Sequence, residues 1–392
     1  MRVLIIDPNI SDSSPSLKAF VRAIPEISQA GVEFEAWSWH TDNGIPVKQT
    51  RKFSQLLNYP VVGGLWFTLQ ARWHFWMEYT VKKEPRPDLV FTVACYEPKC
   101  DVCLVQFSPF DWQQRQRTLG IKSFRDFISW AQNQVDLLVA RHFYRTTQAN
   151  TVLCVSKAVR NDLHKINSTL NFQLLPNSFD PARFNLEIRH DKRDLMRQQL
   201  GFNPEHMVFV FASAGHYRRK GFPLAASAVA ALYAKHSQVR LLVVGGQENR
   251  LQALRSELDH TIPDWKKFIT FAGMVTDMPA YLAAGDGFLF PSYSEAFALV
   301  EVEAAAMGLP LFLTRHHGSE MILKDGVNGL HLEFNAESIA ETLTPFVTGE
   351  WKPTVDPTPK GALDAEAYTI RLLDYLRDSF RLKNENGSQS AC

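Results

Sequence analysis

Short apolar runs separated by helix-length stretches constrain this chain more than any other feature. Residues 2–7, 32–38, 88–94, 102–107 and 151–155 each read as a buried strand, with helical patterns over 15–30 and 159–166 between them. Ser156 stands where an N-cap for the second of these helices is needed. A second set of runs follows at 207–212, 241–245, 268–272, 287–290 and 311–313. Strands that alternate with helices require parallel sheets covered on both faces. The expected fold class is therefore α/β, with doubly wound Rossmann-like sheets. A chain of 392 residues exceeds one ordinary core and predicts two domains. The turn-rich segment Pro176-Asn177-Ser178-Phe179-Asp180 marks the boundary, giving domains 1–177 and 178–360. A last helical pattern covers 361–383 and a polar tail, expected to fray, covers 384–392.

Composition narrows the class. No run of 18 or more uncharged apolar residues occurs, and Met1-Arg2 leads straight into a strand, so the sequence predicts neither a membrane span nor a signal peptide. Five cysteines make no disulfide framework, which predicts a reducing, cytoplasmic location. Residues 1–176 hold 20 Lys+Arg against 15 Asp+Glu, and the rest 22 against 26. That asymmetry permits an anionic partner for the first half and falls short of a nucleic-acid footprint.

The segment from Pro291 to Glu303 carries the most functional information. The run Gly287-Phe-Leu-Phe290 stops at a Pro-Ser turn and passes into a helix to about Met307, with Gly308 placed to end it. Ligands of open α/β sheets bind where a strand's carboxyl end feeds a helix, and first-turn amides suit a phosphate. Glu295 and Glu303 flank that junction, and carboxylates accept hydrogen bonds from sugar hydroxyls. At 100° per residue Glu301 lies on nearly the opposite face from Glu303, so Glu301 is expected to face solvent and serve as an internal control. The plain alternative makes all three acids surface charges of an Ala-rich helix.

A second signal is Ser213-Ala-Gly215-His-Tyr-Arg218-Arg219-Lys220-Gly221, just past the strand at 207–212. Three adjacent cations at a strand's carboxyl end aim at an anion, unless they form a solvated basic loop.

These stretches resemble retaining glycosyltransferases of the GT-B fold, specifically family 4. Glu295-Ala-Phe-Ala-Leu-Val-Glu-Val-Glu303, followed by Ala304-Ala-Ala-Met-Gly308-Leu-Pro310, matches the family's E-x7-E signature, with Ala at two positions where Gly is usual. The Arg219-Lys220-Gly221 element is similar to that of the lipopolysaccharide-core glucosyltransferases. Further matches fall in order: Asn177–Phe184, Val243–Gly246, Phe271–Gly273, Gly318-Ser-Glu320 and Asp325–Gly329. The resemblance implies two Rossmann-like domains facing across a cleft, an N-terminal acceptor side, a nucleotide-sugar-binding second domain and a C-terminal helix that crosses back. An ordinary terminal helix on its own domain is the alternative.

By the same resemblance Arg219 and Lys220 hold the donor diphosphate, Glu295 a donor-sugar hydroxyl and Glu303 the ribose. The backbone of Phe297, Ala298, Leu299 and Val300 lies near the donor sugar, while Gly215, Gly245 and Gly273 line the nucleotide at the strand ends. The implied activity is retaining transfer of a hexose from a UDP- or GDP-linked donor to a glycan or lipid-linked acceptor. No tightly bound cofactor is implied, and without an Asp-rich motif no metal is expected.

The first half matches less well. Where relatives carry a Gly-Gly loop, this chain has Asp7-Pro-Asn-Ile-Ser-Asp-Ser-Ser14-Pro15, so Ser14 either meets donor phosphate or caps a helix. Asp111 and Ser108, past the strand at 102–107, are candidates for acceptor or donor contact. The Cys95, Cys100 and Cys103 spacing lacks a supporting fourth ligand for a cluster. Trp66, Leu69, Trp73 and Trp76 recur at helical spacing, which favours a helix buried in the core, while Lys82, Lys83 and Arg86 keep peripheral membrane contact open. Two other readings remain: a GT-B enzyme acting on a small soluble sugar, as in sucrose- or phosphorylase-type reactions, and a noncatalytic nucleotide-sugar-binding partner.

Overall fold

The computed structural model describes residues 1–12, 14, 17–55, 60–94, 96–120, 124–355, 359 and 361–389. The chain divides into two compact units, one made of Met1–Ser178 with Leu363–Cys392 and the other of Phe179–Ala362.

The first unit is built on a seven-stranded sheet. Its strands are β1 (Arg2–Ile6), β2 (Glu33–Ser38), β3 (Val47–Lys52), β4 (Leu89–Val93), β5 (Val102–Val105), β6 (Thr151–Cys154) and β7 (Phe172–Leu174). They run in the order β3-β2-β1-β4-β5-β6-β7, every pairing parallel. The order reverses between β1 and β4, the doubly wound pattern that the alternation predicts. Five apolar strands, β1, β2, β4, β5 and β6, fall within two residues of their expected ends. Strand β3 was not expected, because its sequence VKQTRK has no apolar run. Polar, Lys-bearing residues suit an edge strand, where they discourage pairing with another chain.

Helix α1 (Lys18–Gln29) buries Phe20, Ile24 and Ile27 against that sheet. It begins three residues later than expected, and Ser14 offers its backbone carbonyl to the amides of Leu17 and Lys18. Residues 13 and 15, part of that expected start, lie outside the described residues, as does Cys95. Helix α2 (Pro60–Trp76) corrects the buried-helix expectation. It buries Phe67, Ala71 and Phe75, while Leu69 is 62% and Trp73 58% exposed and Leu65 and Trp76 are also open. Aromatic residues occupy both faces of the helix, and the face carrying Phe67, Ala71 and Phe75 is the one that packs. Helices α3 (Pro109–Leu119) and α4 (Phe124–Thr146) form a pair, and α5 (Lys157–His164) starts from Ser156, whose hydroxyl accepts from the Val159 amide.

The C-terminal helix Ala365–Gln389 belongs to this first unit. Tyr368, Leu372 and Leu376 are buried in one cluster with Phe20, Ile24 and Phe34. Ser379 donates to Thr151 at 2.7 Å, and Lys383 pairs with Asp101 at 2.9 Å. The helix runs past Asn384, where the sequence reading placed a frayed tail.

The second unit repeats the topology with β8 (Met207–Ala212), β9 (Val239–Val244), β10 (Ile269–Gly273), β11 (Gly287–Phe290), β12 (Leu311–Thr314) and β13 (Gly329–Leu332). The order is β10-β9-β8-β11-β12-β13, again all parallel, with reversal between β8 and β11. Phe209, Phe211, Phe288, Phe290 and Phe312 are fully buried along these strands. Each is worth roughly 1.5–3 kcal/mol relative to exposure, so this aromatic layer is a main source of the unit's rigidity. Helix α6 (Leu186–Gln199) carries Arg189, Arg193 and Arg197 four residues apart on one face. They donate to the carbonyls of Ala283, Ala284, Gly285, Met307 and Gly308, and Arg197 also bonds Asp286 at 3.2 Å. Asp286 in turn accepts from the Val208 amide at 2.7 Å and so locks the entrance of β8.

Candidate functional site

The site forms where β8 and β11, neighbours at the reversal point, release their chains at the carboxyl edge of the sheet. Past β8 the loop 213–220 leads through Gly221 into helix α7 (Phe222–Lys235). Past β11 the loop 291–298 leads into helix α10 (Leu299–Ala306), counting helices α8 (Glu248–Thr261) and α9 (Met278–Ala283) between. Gly221 is left-handed at φ 79°, and a Cβ there would lie 1.9 Å from the Pro291 carbonyl oxygen. Only glycine lets the two loops approach this closely. The Tyr293 amide donates to the Arg219 carbonyl at 2.8 Å, and the Arg219 guanidinium donates to the Ser294 carbonyl at 3.1 Å. The basic loop and the acidic loop are thereby one structure.

Within it Lys220 Nζ meets Glu295 Oε1 at 2.7 Å, and Ser292 Oγ donates to the same oxygen at 3.0 Å. The two side chains are 19% and 10% exposed. Lys220 also lies 5.2 Å from the centroid of the Phe290 ring. Burial alone raises the Glu295 pKa, but the charges of Lys220 and Arg219 outweigh it and hold the carboxyl below its ordinary value. A largely buried cluster of two fixed cations and one ionised carboxylate is suited to an anion that carries hydroxyl groups.

Helix α10 adds amides. Its N-cap, Ala298, has an extended backbone and makes no side-chain cap bond, so the N-cap residue leaves the first-turn N–H groups uncapped. Its far end closes as expected. Gly308 sits at φ 70°, its amide donates to Ala305 and the Leu309 amide to Ala304, the paired bonds of a Schellman ending.

The expected facing of Glu301 is reversed. Glu301 and Glu303 do lie on different faces, but Glu303 is the half-buried one and Glu301 is fully buried. Glu301 Oε1 meets His316 Nε2 at 2.7 Å, and both side chains are 0% exposed. Helical spacing fixes the angle between two positions, not which of them meets the sheet. A histidine past the end of β12 makes the inward position tolerable for a carboxylate. Burial raises the Glu301 pKa, with His316 partly offsetting it.

The other sequence candidates fall as follows. Phe297 and Ala298 are buried in the β11–α10 loop, and Leu299 and Val300 are half-buried at the start of α10. Gly215 lies in the basic loop, its amide donating to Ser213 Oγ at 3.2 Å. Gly245 and Gly273 meet, the amide of the first donating to the carbonyl of the second at 2.7 Å. Ser14 and Asp111 belong to the first unit. Ser14 is buried ahead of α1, and Asp111 is buried in the first turn of α3 with Oδ1 3.9 Å from Arg115 Nε. Ser292, Thr314 and His316 were not singled out by sequence. Thr314-Arg-His316 starts at the last residue of β12, and applying the strand-end rule there as well as at β8 and β11 finds it.

The chain is similar to several known proteins. A family model described as "Glycosyl transferases group 1" matches residues 206–348, the span that contains every element of the cluster. The lipopolysaccharide glucosyltransferase WaaG of Escherichia coli K12 is 28% identical over 181 residues, covering 45% of this chain and 47% of WaaG. A sucrose synthase of Acidithiobacillus caldus is 31% identical over 144 residues, covering 31% of this chain. The chain spans about half the length of the first of these relatives and 18% of the second. Among solved structures, a WaaG crystal structure superposes with a TM-score of 0.70 at 20% identity, covering 94% of each chain. An Anabaena HepE structure in complex with UDP-glucose superposes with a TM-score of 0.66 at 16% identity, covering 96% of this chain and 100% of HepE. Both sheets of this chain are those of the GT-B fold.

Proposed function

We propose, from the premise that residues 206–348 form a glycosyl transferases group 1 domain, that the chain is a retaining glycosyltransferase. It moves a hexose from a UDP- or GDP-linked donor to a hydroxyl of a glycan or glycolipid acceptor of lipopolysaccharide type. The observation that carries this reading is the convergence of Arg219, Lys220 and Glu295 at the β8/β11 edge beside the uncapped first turn of α10. The relatives' names support the acceptor class, and the HepE complex supports a UDP-sugar as donor.

The chemistry follows from charge. Breaking the bond between the sugar and the diphosphate leaves negative charge on the diphosphate, and fixed cations that stabilise it lower the barrier, each by a few kcal/mol. Arg219, Lys220 and the α10 amides take that role, so the reading needs no metal ion. In the ligand-free protein Lys220 is satisfied by Glu295. An arriving diphosphate shares Lys220 and leaves Glu295 to accept a hydrogen bond from the donor sugar. Glu303 holds the ribose, and Gly215, Gly245 and Gly273 hold the nucleotide through their backbone. The likeness to sucrose synthase covers too little of that enzyme to favour sucrose chemistry over this acceptor class. A panel of UDP-glucose, UDP-galactose and GDP-mannose tests the reading. Thermal stabilisation by one nucleotide with slow release of its sugar is expected, and no stabilisation and no release from any of them contradicts it.

The exposed face of α2 supports a peripheral lipid contact for the acceptor. Leu65, Leu69, Trp73 and Trp76 lie open on one side of the helix, and Lys82, Lys83 and Arg86 are exposed just beyond it. Among the described residues no helix is long and apolar enough to cross a membrane. Vesicles containing anionic lipid should sediment the protein and lose most of it on W73A/W76A substitution. Equal binding by the double variant contradicts the contact.

A further inference from the structure

A buried acid–imidazole pair lies behind the Lys220–Glu295 cluster and has no part in the function proposed above. Glu301 and His316 are both fully enclosed, and Glu301 Oε2 has no hydrogen-bond partner among the described residues. An orphaned carboxylate oxygen in the interior is unfavourable, so packing alone gives no reason for a glutamate here.

The hydrogen bonds around the pair lead to Glu295. Thr314 Oγ1 donates to the Ser292 carbonyl, which leaves it only as an acceptor toward His316 Nδ1 at 3.5 Å. With the Thr314 hydrogen so used, we assign the hydrogen of this contact to Nδ1. Nε2 and Glu301 Oε1, 2.7 Å apart, then share one proton, and the pair is net neutral wherever that proton sits. At the other end Ser292 Oγ donates to Glu295 Oε1 at 3.0 Å. His316 also packs edge-on to the Phe290 ring, 6.3 Å between centroids, while Lys220 lies over that ring. The same aromatic side chain touches both the buried pair and the cation.

We propose that Glu301 and His316 are positioning residues that act through Thr314 and Ser292 to orient the Glu295 carboxylate. Through this chain the buried pair sets where Glu295 points when it receives Lys220 and, on the reading above, the donor sugar. The inference rests on that reading only for its catalytic consequence. A neutral pair does this without adding charge beneath a site that must bind an anion.

The test compares Glu301→Gln, Glu301→Leu and His316→Phe with the unaltered protein. Gln keeps a donor for Nε2, whereas Leu and Phe remove the link. Sugar release from UDP-glucose, UDP-galactose and GDP-mannose is measured per folded molecule, together with UDP and GDP affinity and a crystal structure of each ligand-free variant. The expected result is a fall in kcat of about tenfold to a hundredfold for Glu301→Leu and His316→Phe. Nucleotide affinity should stay near the original, Glu301→Gln should keep nearly full kcat, and the Ser292–Glu295 contact should open in the Leu and Phe variants only. A merely structural role would lower the melting temperature and leave kcat per folded molecule unchanged, and that result overturns the proposal. An intact Ser292–Glu295 contact in the crystals of Glu301→Leu or His316→Phe overturns it as well. If the unaltered protein releases no sugar from any donor, the proposed function fails, and the crystal distances still decide the positioning role. His316→Phe preserves the decision if Glu301→Leu does not fold.

Discussion

Glu295 and Glu301 are six residues apart, and their surroundings make them opposites. Glu295 sits in the loop before α10 with Lys220 and Arg219 at hand, and these cations hold it ionised. Glu301 sits in the first turn of the helix, fully buried against His316, and burial raises its pKa despite the imidazole. Both carboxylates are largely withdrawn from water. What separates them is the charge brought by a neighbouring strand end, two cations from β8 for one and a histidine from β12 for the other. A carboxylate's role in such a sheet is therefore set by which strand releases its chain beside it.

The contrast breaks most readily at Glu295. Replacing it with Gln removes the acceptor for the sugar hydroxyl and leaves Lys220 without its counter-charge. Donor turnover should fall by roughly a hundredfold or more, the usual scale for one preorganised polar contact. Measured sugar release within a few-fold of the original would place the sugar contact elsewhere. Glu301→Gln, by contrast, should cost little in turnover.

A smaller effect sharpens the comparison by pH. The Glu295 value lies below the ordinary 4.5, so its contribution to stability is present above 4.5 and lost as pH falls through the folded value. The Glu301 value lies above 4.5, so its cost is absent below 4.5 and grows as pH rises through the folded value. Melting curves of Glu295→Gln should lose part of the acid-side decline, and those of Glu301→Gln should lose part of the decline on the neutral side. The same change of slope in both variants would remove the electrostatic distinction.

Much of this was legible in the sequence, and the limits were physical. Buried parallel strands such as 207–212 and 287–290 announce themselves because both faces must be apolar. Edge strand β3 was silent because a strand at the rim has no such requirement. The Lys220–Glu295 cluster was readable because its residues cluster at strand ends beside glycine and helix starts. The Glu301–His316 pair was not, since periodicity gives angles and leaves the choice of inward face to a partner fifteen residues away. Helix α2 misled for a related reason. Its aromatic residues occupy both faces, and the face carrying Phe67, Ala71 and Phe75 packs more closely than the one carrying Trp73 and Trp76. Asp111 and Ser14 stay as candidates only, because in the first unit no second motif fixes which strand end faces a ligand.

Titration calorimetry of UDP and GDP into the unaltered protein and into Lys220→Met tests the central claim most directly. The account predicts that one nucleotide binds the unaltered protein and that the variant loses at least about tenfold in affinity, the worth of a charge-assisted phosphate contact near 1.4 kcal/mol or more. Equal affinity in both proteins would contradict the assignment of this cluster as the donor site.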